Sequence, residues 1–204
     1  MMKQLLEQDF ICHYNRHKGL PVSVVVIQQT TNTGDFELND DDVMVYSSGQ
    51  GVAKYKNPAF QTVNVINYEC FINSLPKRVK NTDSIGKDIC DLIVYTDKQL
   101  LLNELTDTNA QYNAKKRIKA QSQLQQSLHN LMAVQKISVF AYNHNVRHCC
   151  FFNKQAVKFQ GVIAQNAFNR QNTYSNGFKI PNQNIANYGF EFWEFYGNQT
   201  YQLS

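Results

Sequence analysis

The run Cys90-Asp91-Leu92-Ile93-Val94-Tyr95 and the run Leu100-Leu101-Leu102-Asn103-Glu104-Leu105-Thr106 are separated only by Thr96-Asp97-Lys98-Gln99. Two apolar stretches so close together predict a β-hairpin. With Asp97 and Lys98 as its two-residue turn, Thr96 faces Gln99, and counting outward sets Asp91 directly opposite Glu104. The period of two then places both acids on one face of the sheet. Opposed residues on neighbouring strands have Cβ atoms about 4.5–5.5 Å apart, where two like charges are costly without a cation between them. The hairpin therefore predicts a divalent-metal site in outline.

At 204 residues the chain has the length of one well-buried domain. Charged residues are 18% and aromatics 12%, and apolar runs recur throughout, which excludes a disordered chain. The net charge of +4 is mild, and its distribution carries more information than its total. Lys115, Lys116, Arg117 and Lys119 form one basic cluster, Lys77, Arg78 and Lys80 another, and Asp40, Asp41 and Asp42 an acidic one. Five cysteines, an odd number with Cys149 and Cys150 adjacent, do not form a disulfide framework, and the N-terminus lacks a continuous apolar stretch. A cytoplasmic location is expected. No apolar run reaches membrane-spanning length, so no membrane partner is expected.

Along the chain, residues 3–18 read as a helix stopped by Gly19 and Pro21, with Leu5, Leu6, Phe10 and Tyr14 on one side. Strands are predicted at Val22–Gln29 and Val43–Tyr46, flanking a short Asp35–Leu38 segment. Asn57-Pro58 reads as a helix start, with Phe60, Val63, Ile66, Cys70 and Phe71 recurring up to Leu75-Pro76. After the hairpin comes a long helix, about Asn113 to Met132, carrying Ile118, Leu124, Leu128, Leu131 and Met132 inward. Lys136–Tyr142 and Val146–Phe152 read as strands, and Phe190–Tyr196 as an aromatic strand whose Glu191 and Glu194 fit alternation only around a bulge. The expected organisation is a single α/β domain spanning 1–204. Its core covers about 57–152, with an N-terminal addition at 1–56 and an Asn/Gln- and aromatic-rich extension at 153–204.

The stretch from Asn67 to Phe152, a helix, a hairpin bearing Asp and then Glu, and a helix packed on the sheet, resembles the PD-(D/E)XK nuclease superfamily. The resemblance covers under half the chain. It implies a restriction-endonuclease-like mixed sheet core flanked by helices, with Asp91 as the metal-binding aspartate and Glu104 as the second carboxylate. Glu69, near the end of the preceding helix, matches the place of an additional acidic ligand, and the Gln121–Gln126 run that of a glutamine near the site. The implied cofactor is Mg²⁺ or Mn²⁺, the implied reaction DNA phosphodiester hydrolysis, and the implied setting a bacterial or phage conflict system.

One position departs from the pattern. Where the family has lysine, two residues beyond the glutamate, this chain has Thr106, whose hydroxyl holds a water but supplies no positive charge. Lys87 is the first candidate replacement, because period-two parity puts it on the face of Asp91 and diagonal to Thr106. Lys115, Lys116 and Lys119 are the alternatives. The basic cluster Lys115, Lys116, Arg117 and Lys119 is also the expected nucleic-acid contact. Two other readings stay open beside the nuclease. One is a catalytically silent member acting as a DNA-binding or protein-binding subunit. The other is an interaction protein that uses its tail as a homo-oligomeric interface.

His144, His148, Cys149 and Cys150, with Cys12, His13 and His17, invite a zinc reading. Adjacent cysteines in a strand point to opposite faces, which argues against it. A Cys-His nucleophile pair lacks a local signature, and no glycine loop for phosphate occurs.

Overall fold

The computed structural model describes residues 1–17, 19–39, 49–108, 113–155 and 176–204. Its centre is a seven-stranded mixed sheet in the order β1-β4-β5-β6-β7-β9-β8. The strands are β1 (Gln28–Thr31), β4 (Val63–Asn67), β5 (Leu92–Tyr95), β6 (Gln99–Thr106), β7 (Val146–Asn153), β8 (Phe178–Ile180) and β9 (Glu191–Tyr196). A second, three-stranded sheet joins β2 (Asp35–Leu38), β3 (Ala53–Lys56) and β10 (Tyr201–Gln202) in the order β10-β3-β2.

Helices cover one face of the large sheet and the small sheet covers the other. The N-terminal segment is helical from Met2 to Tyr14, as α1 (Met2–Leu5), a π-helical turn (Leu6–Phe10) and α2 (Ile11–Tyr14). It buries Met2, Leu6, Phe10 and Tyr14. Next come α3 (Tyr68–Ser74), α4 (Lys77–Lys80), the long α5 (Asn113–Met132), α6 (Gln135–Tyr142) and α7 (Gln183–Ala186). One core joins Ile93, Leu100, Leu102, Cys149 and Phe151 to Leu124 and Leu128 of α5 and Ile137 of α6. The other joins Leu92, Val94, Leu101, Cys150 and Phe152 to Phe36, Tyr55 and Tyr201 of the small sheet. With both faces covered, β6 is an almost unbroken buried run instead of an alternating one.

The hairpin register is as expected. Leu92 pairs with Asn103 and Tyr95 with Leu100, and the Thr96 N–H donates to the Gln99 carbonyl at 2.9 Å. From β6 the chain crosses through α5 and α6 to β7, which lies parallel to β6 as a helical crossover requires.

Three expectations about elements are corrected. Lys136–Tyr142 belongs to helix α6, not a strand. Ile137, Phe140 and Ala141 are buried at helical spacing while Val139 is exposed, and a short apolar run does not tell the two apart by periodicity alone. Asn57 does not start a helix. Its side chain closes a turn by donating to the Thr33 and Gln61 carbonyls and accepting from the Gln61 N–H, β4 follows, and the helix begins only at Tyr68. Its N-cap is Asn67, whose side chain accepts from the Cys70 N–H at 2.7 Å. Ile118 does not point inward but is 69% exposed. The inward face of α5 is Ala120, Leu124, Leu128 and Leu131, and Ile118 falls off that stripe.

Strand pairing in the Val22–Gln29 region begins at Gln28. β9 runs in continuous parallel register with β7, so no bulge separates Glu191 from Glu194. The predicted strand Val43–Tyr46 and the acidic cluster Asp40–Asp42 lie outside the described residues, as does 156–175 of the Asn/Gln-rich extension.

The orientation of α5 is open to test. Leu128→Ala is expected to lower the unfolding free energy by about 2–5 kcal/mol in urea denaturation, and Ile118→Ala to change it by less than about 0.5 kcal/mol. Comparable losses at both positions would mean that the helix is rotated.

Candidate functional site

Asp91 immediately precedes β5, and its N–H donates at 3.1 Å to the carbonyl of Asn103, the residue that already pairs with Leu92, so the regular ladder ends at that pair. Asp91 nevertheless lies close to Glu104, whose carboxyl it acts on by charge, and Glu104 is on the face that carries Ile93 and Leu102 and looks toward α5. Both acids are buried, Asp91 to 8% and Glu104 to 9% residual exposure. The Leu105 N–H donates to Asp91 Oδ2 at 2.6 Å. Glu104 Oε2 is buried and has no hydrogen-bond partner among the described residues. A carboxylate oxygen left this way loses its hydration without compensation.

Glu69 is brought to the pair by the backbone. The Asp91 carbonyl accepts from the Tyr68 N–H at 2.9 Å and the Glu69 N–H at 3.1 Å, so the start of α3 sits on the strand that carries Asp91. Glu69 thus lies in the first turn of its helix, not near its end, and its side chain is exposed.

Helix α5 is tied to the same strand from above. Gln123 Nε2 donates to the Ile89 carbonyl at 2.9 Å, and the Cys90 N–H donates to Ser127 Oγ at 2.8 Å. Gln123 belongs to the glutamine run that the resemblance implies near the site. These contacts set the basic start of α5 over the acids. Burial pushes the Glu104 carboxyl up to about 9, and the charges of Asp91 and then Glu69 add to the rise. Lys119 and, more weakly, Lys116 pull in the other direction. Glu104 therefore binds a proton at neutral pH when its only neighbours are those of the protein.

The members of the basic cluster have different roles. Lys115, Lys116 and Lys119 are exposed. Arg117 instead forms an ion pair with Glu194, a buried residue of β9 whose other oxygen accepts from Tyr196 Oη at 3.0 Å. Glu104 pairs with Phe151 and Phe151 with Glu194, so one rung of the sheet runs Glu104, Phe151, Glu194. Sequence reasoning missed Glu194. The available signal was an acid inside an aromatic strand, which needs a cation when buried.

Lys87 is not on the Asp91 face. The strand begins at Leu92, and Asp88, with φ at 48°, breaks the extended geometry on which the parity argument depends. Lys87 lines a separate polar cleft with Asn73, Lys80 and Asn81, and the cations that act on Glu104 are Lys119 and Lys116. Thr106 Oγ1 is engaged with Thr108 Oγ1 at 2.6 Å. Of the zinc candidates, Cys149 faces one core and Cys150 the other, and both ring nitrogens of His144 lie against backbone carbonyls, of Phe140 and Thr96.

Among the described residues, no three His, Cys, Asp or Glu side chains are gathered tightly enough to hold a metal ion by themselves. The site is a carboxylate pair, with Glu69 acting on it through space. No helix of the described residues is long and apolar enough to cross a membrane. Comparison with protein-family models, curated proteins and solved structures finds no match to this chain.

The raised Glu104 carboxyl gives stability a definite pH dependence. Below its ordinary value of 4.5 the group is protonated in both folded and unfolded chains and contributes nothing. Above that value the unfolded chain releases the proton and the folded one keeps it up to about 9, so wild-type stability falls as pH rises through this window. In thermal scans Glu104→Gln is expected to match wild type near pH 4 and to melt increasingly higher toward pH 9. A gap that stayed constant with pH would remove Glu104 as the proton carrier.

Proposed function

We propose that the chain is a divalent-metal-dependent nuclease of restriction-like architecture that hydrolyses DNA phosphodiester bonds. The observation that carries this reading is the buried, unpartnered oxygen of Glu104 facing Asp91 beneath a lysine-bearing helix. A pair of opposed acids is a destabilising arrangement for a fold to retain, and it becomes favourable when a cation joins it. The donor set is all oxygen, which suits Mg²⁺ or Mn²⁺, and Mg²⁺ is usually held by one or two carboxylates together with substrate phosphates. Asp91 and Glu104 would hold it, with Glu69 contributing negative charge from the start of α3. When bound, the cation supplies Lewis-acid polarisation of the phosphate and offsets the charge that builds there.

The chain's own residues divide the remaining work. Lys119 takes the place of the lysine missing at 106, since its charge already reaches Glu104 across the helix-sheet gap. It would orient the attacking water and steady the negative charge of the reacting phosphate. Lys115 and Lys116 meet the flanking backbone by charge alone, without base identity. Arg117 holds α5 in place through Glu194 and is left out of the DNA contact.

Cleavage of plasmid and single-stranded DNA in Mg²⁺ or Mn²⁺ tests the reading, with Asp91→Ala as the inactive control. Calorimetric titration with Mn²⁺ should show binding, accompanied by proton release from Glu104, that disappears in the Asp91→Ala, Glu104→Ala double variant. No cleavage and no metal binding would leave the silent DNA- or protein-binding subunit as the better account.

The lysines are separable in the same assay. Lys119→Met is expected to lower turnover by about 10²-fold or more while DNA affinity stays close to wild type, and Lys87→Met to leave turnover unchanged. Alanine at Lys115 and Lys116 should weaken binding to all sequences alike and flatten its salt dependence. A large loss in Lys87→Met with none in Lys119→Met would reverse the assignment.

A further inference from the structure

A second site lies on the opposite face of the large sheet from the acids, where the starts of β6 and β7 and the strand β9 meet β10. It is a cavity of about 220 Å³ whose lining includes Trp193, His148, Tyr201, Gln99, Asn176 and Gln202. No candidate residue of the nuclease reading takes part in it, and the inference does not rest on that reading.

The wall is aromatic and its rings are fixed. His148 and Trp193 have centroids 5.3 Å apart with planes tilted by 31°, and His148 and Tyr201 are 5.8 Å apart at 67°. Tyr201 Oη donates to His148 Nδ1 at 2.8 Å, and on the other side of the imidazole Nε2 lies 3.3 Å from Glu191 Oε2. Burial is the main reason His148 titrates low, at about 4, outweighing the opposite pull of Glu191. The ring is therefore neutral at physiological pH, with Nε2–H donating to Glu191 and Nδ1 accepting from Tyr201. Trp193 Nε1 is also engaged, donating to Glu191 Oε2 at 3.1 Å.

With these ring nitrogens and hydroxyls bonded to one another or to Glu191, whose charge Lys179 balances, the wall offers ring faces and few free polar groups. The rim is different: the exposed Asn176 and Gln202 bring carboxamides, which present a donor and an acceptor side by side, while the buried Gln99 is engaged by the Ser204 N–H. Lys56, exposed, neighbours Gln202 in the small sheet. The volume is below the roughly 300–1,000 Å³ of drug-sized pockets and suits one planar ring system. A flat ring that stacks on aromatics, has donor and acceptor edges for carboxamides, and carries an anionic tail toward a lysine is a nucleobase with its phosphate.

We infer that the cavity bounded by Trp193, His148 and Tyr201 is a binding site for a single unpaired nucleobase. The base lies against Trp193, its edge meets the carboxamide rim, and its phosphate points outward past Lys56. It comes either from a free mononucleotide or from single-stranded nucleic acid.

Trp193 is the only tryptophan in the chain, so intrinsic fluorescence reads this cavity directly. Titration of the full chain without divalent metal, using adenosine monophosphate in one arm and an unstructured single-stranded DNA oligonucleotide in the other, is expected to give saturable quenching. Saturation in the first arm identifies a free nucleotide as sufficient, and saturation in the second alone identifies the nucleic-acid strand. Either result supports the site. Thr200→Phe, which places a ring at the lining without adding a fluorophore, should abolish the quenching. By calorimetry, Trp193→Phe should bind within a few-fold of wild type and Trp193→Ala about tenfold or more weakly. The inference is overturned by the absence of saturable quenching in both arms, by equal quenching in Thr200→Phe, or by ribose 5-phosphate or glucose competing as well as the nucleotide. The Asp91→Ala, Glu104→Ala protein should bind the base as wild type does, so failure here and failure of the nuclease reading are distinguishable.

Discussion

Two carboxyl groups held face to face under a helix are the constraint to which the surrounding architecture answers. Opposed like charges repel, and removing them from water makes each harder to ionise. An arrangement of this kind persists only when the backbone leaves it no escape. The β6–β7 ladder fixes Glu104, the Asn103 carbonyl and Leu105 N–H hold Asp91, and the anchors at Gln123 and Ser127 keep α5 from lifting away. What is left is an oxygen of Glu104 with no partner and a bound proton, a local deficit of stability that a divalent cation would convert into binding energy.

The start of α5 carries the matching anomaly. Lysines and an arginine near a helix N-terminus oppose the helix dipole, and α5 has no acid in its first turn to offset them. The compensation is tertiary. Arg117 is neutralised by Glu194, itself held by Tyr196, while Lys119 and Lys116 share the field of the buried acids. The cluster that looks uniform in the sequence is thus one structural ion pair and three exposed lysines. That division explains why a modest net charge of +4 is compatible with a concentrated positive edge at the site.

How much of this was legible depends on whether local rules decided the outcome. The hairpin was, because a two-residue turn and period-two alternation fix its register as far as the Leu92–Asn103 pair. The length of α5 was also legible, its rotation less so, since Ile118 is apolar but off the Ala120–Leu131 stripe. The strand expected at Lys136–Tyr142 failed because Ile137-Ser138-Val139-Phe140 alternates locally and only the burial of Ile137, Phe140 and Ala141 reveals the helix. Lys87 failed for a different reason. Parity extends only as far as the strand does, and the positive φ of Asp88 ends that inference before it reaches Lys87. Glu194 was hidden because its partner is distant in sequence and its strand has no internal sign of which face meets a helix.

Strand parity also explains how one sheet presents two unlike faces. On β9, Glu194 looks toward α5 and Trp193 toward the small sheet. On β7, Phe151 lies beside Glu104 and Glu194 while His148 opens onto the aromatic cavity. Adjacent residues thus belong to sites separated by the thickness of the sheet, and the wall between them is the close-packed pair of cores. Such a wall transmits little when a side chain changes without a change in backbone register, because the ladder hydrogen bonds and not the side chains set strand positions. The acidic face is polarised by charges that a cation would complete, and the aromatic face has its polar groups bonded to each other or to the Glu191–Lys179 ion pair. A substitution at 193 or at 194 therefore perturbs one face, and proximity in sequence is a poor guide to which.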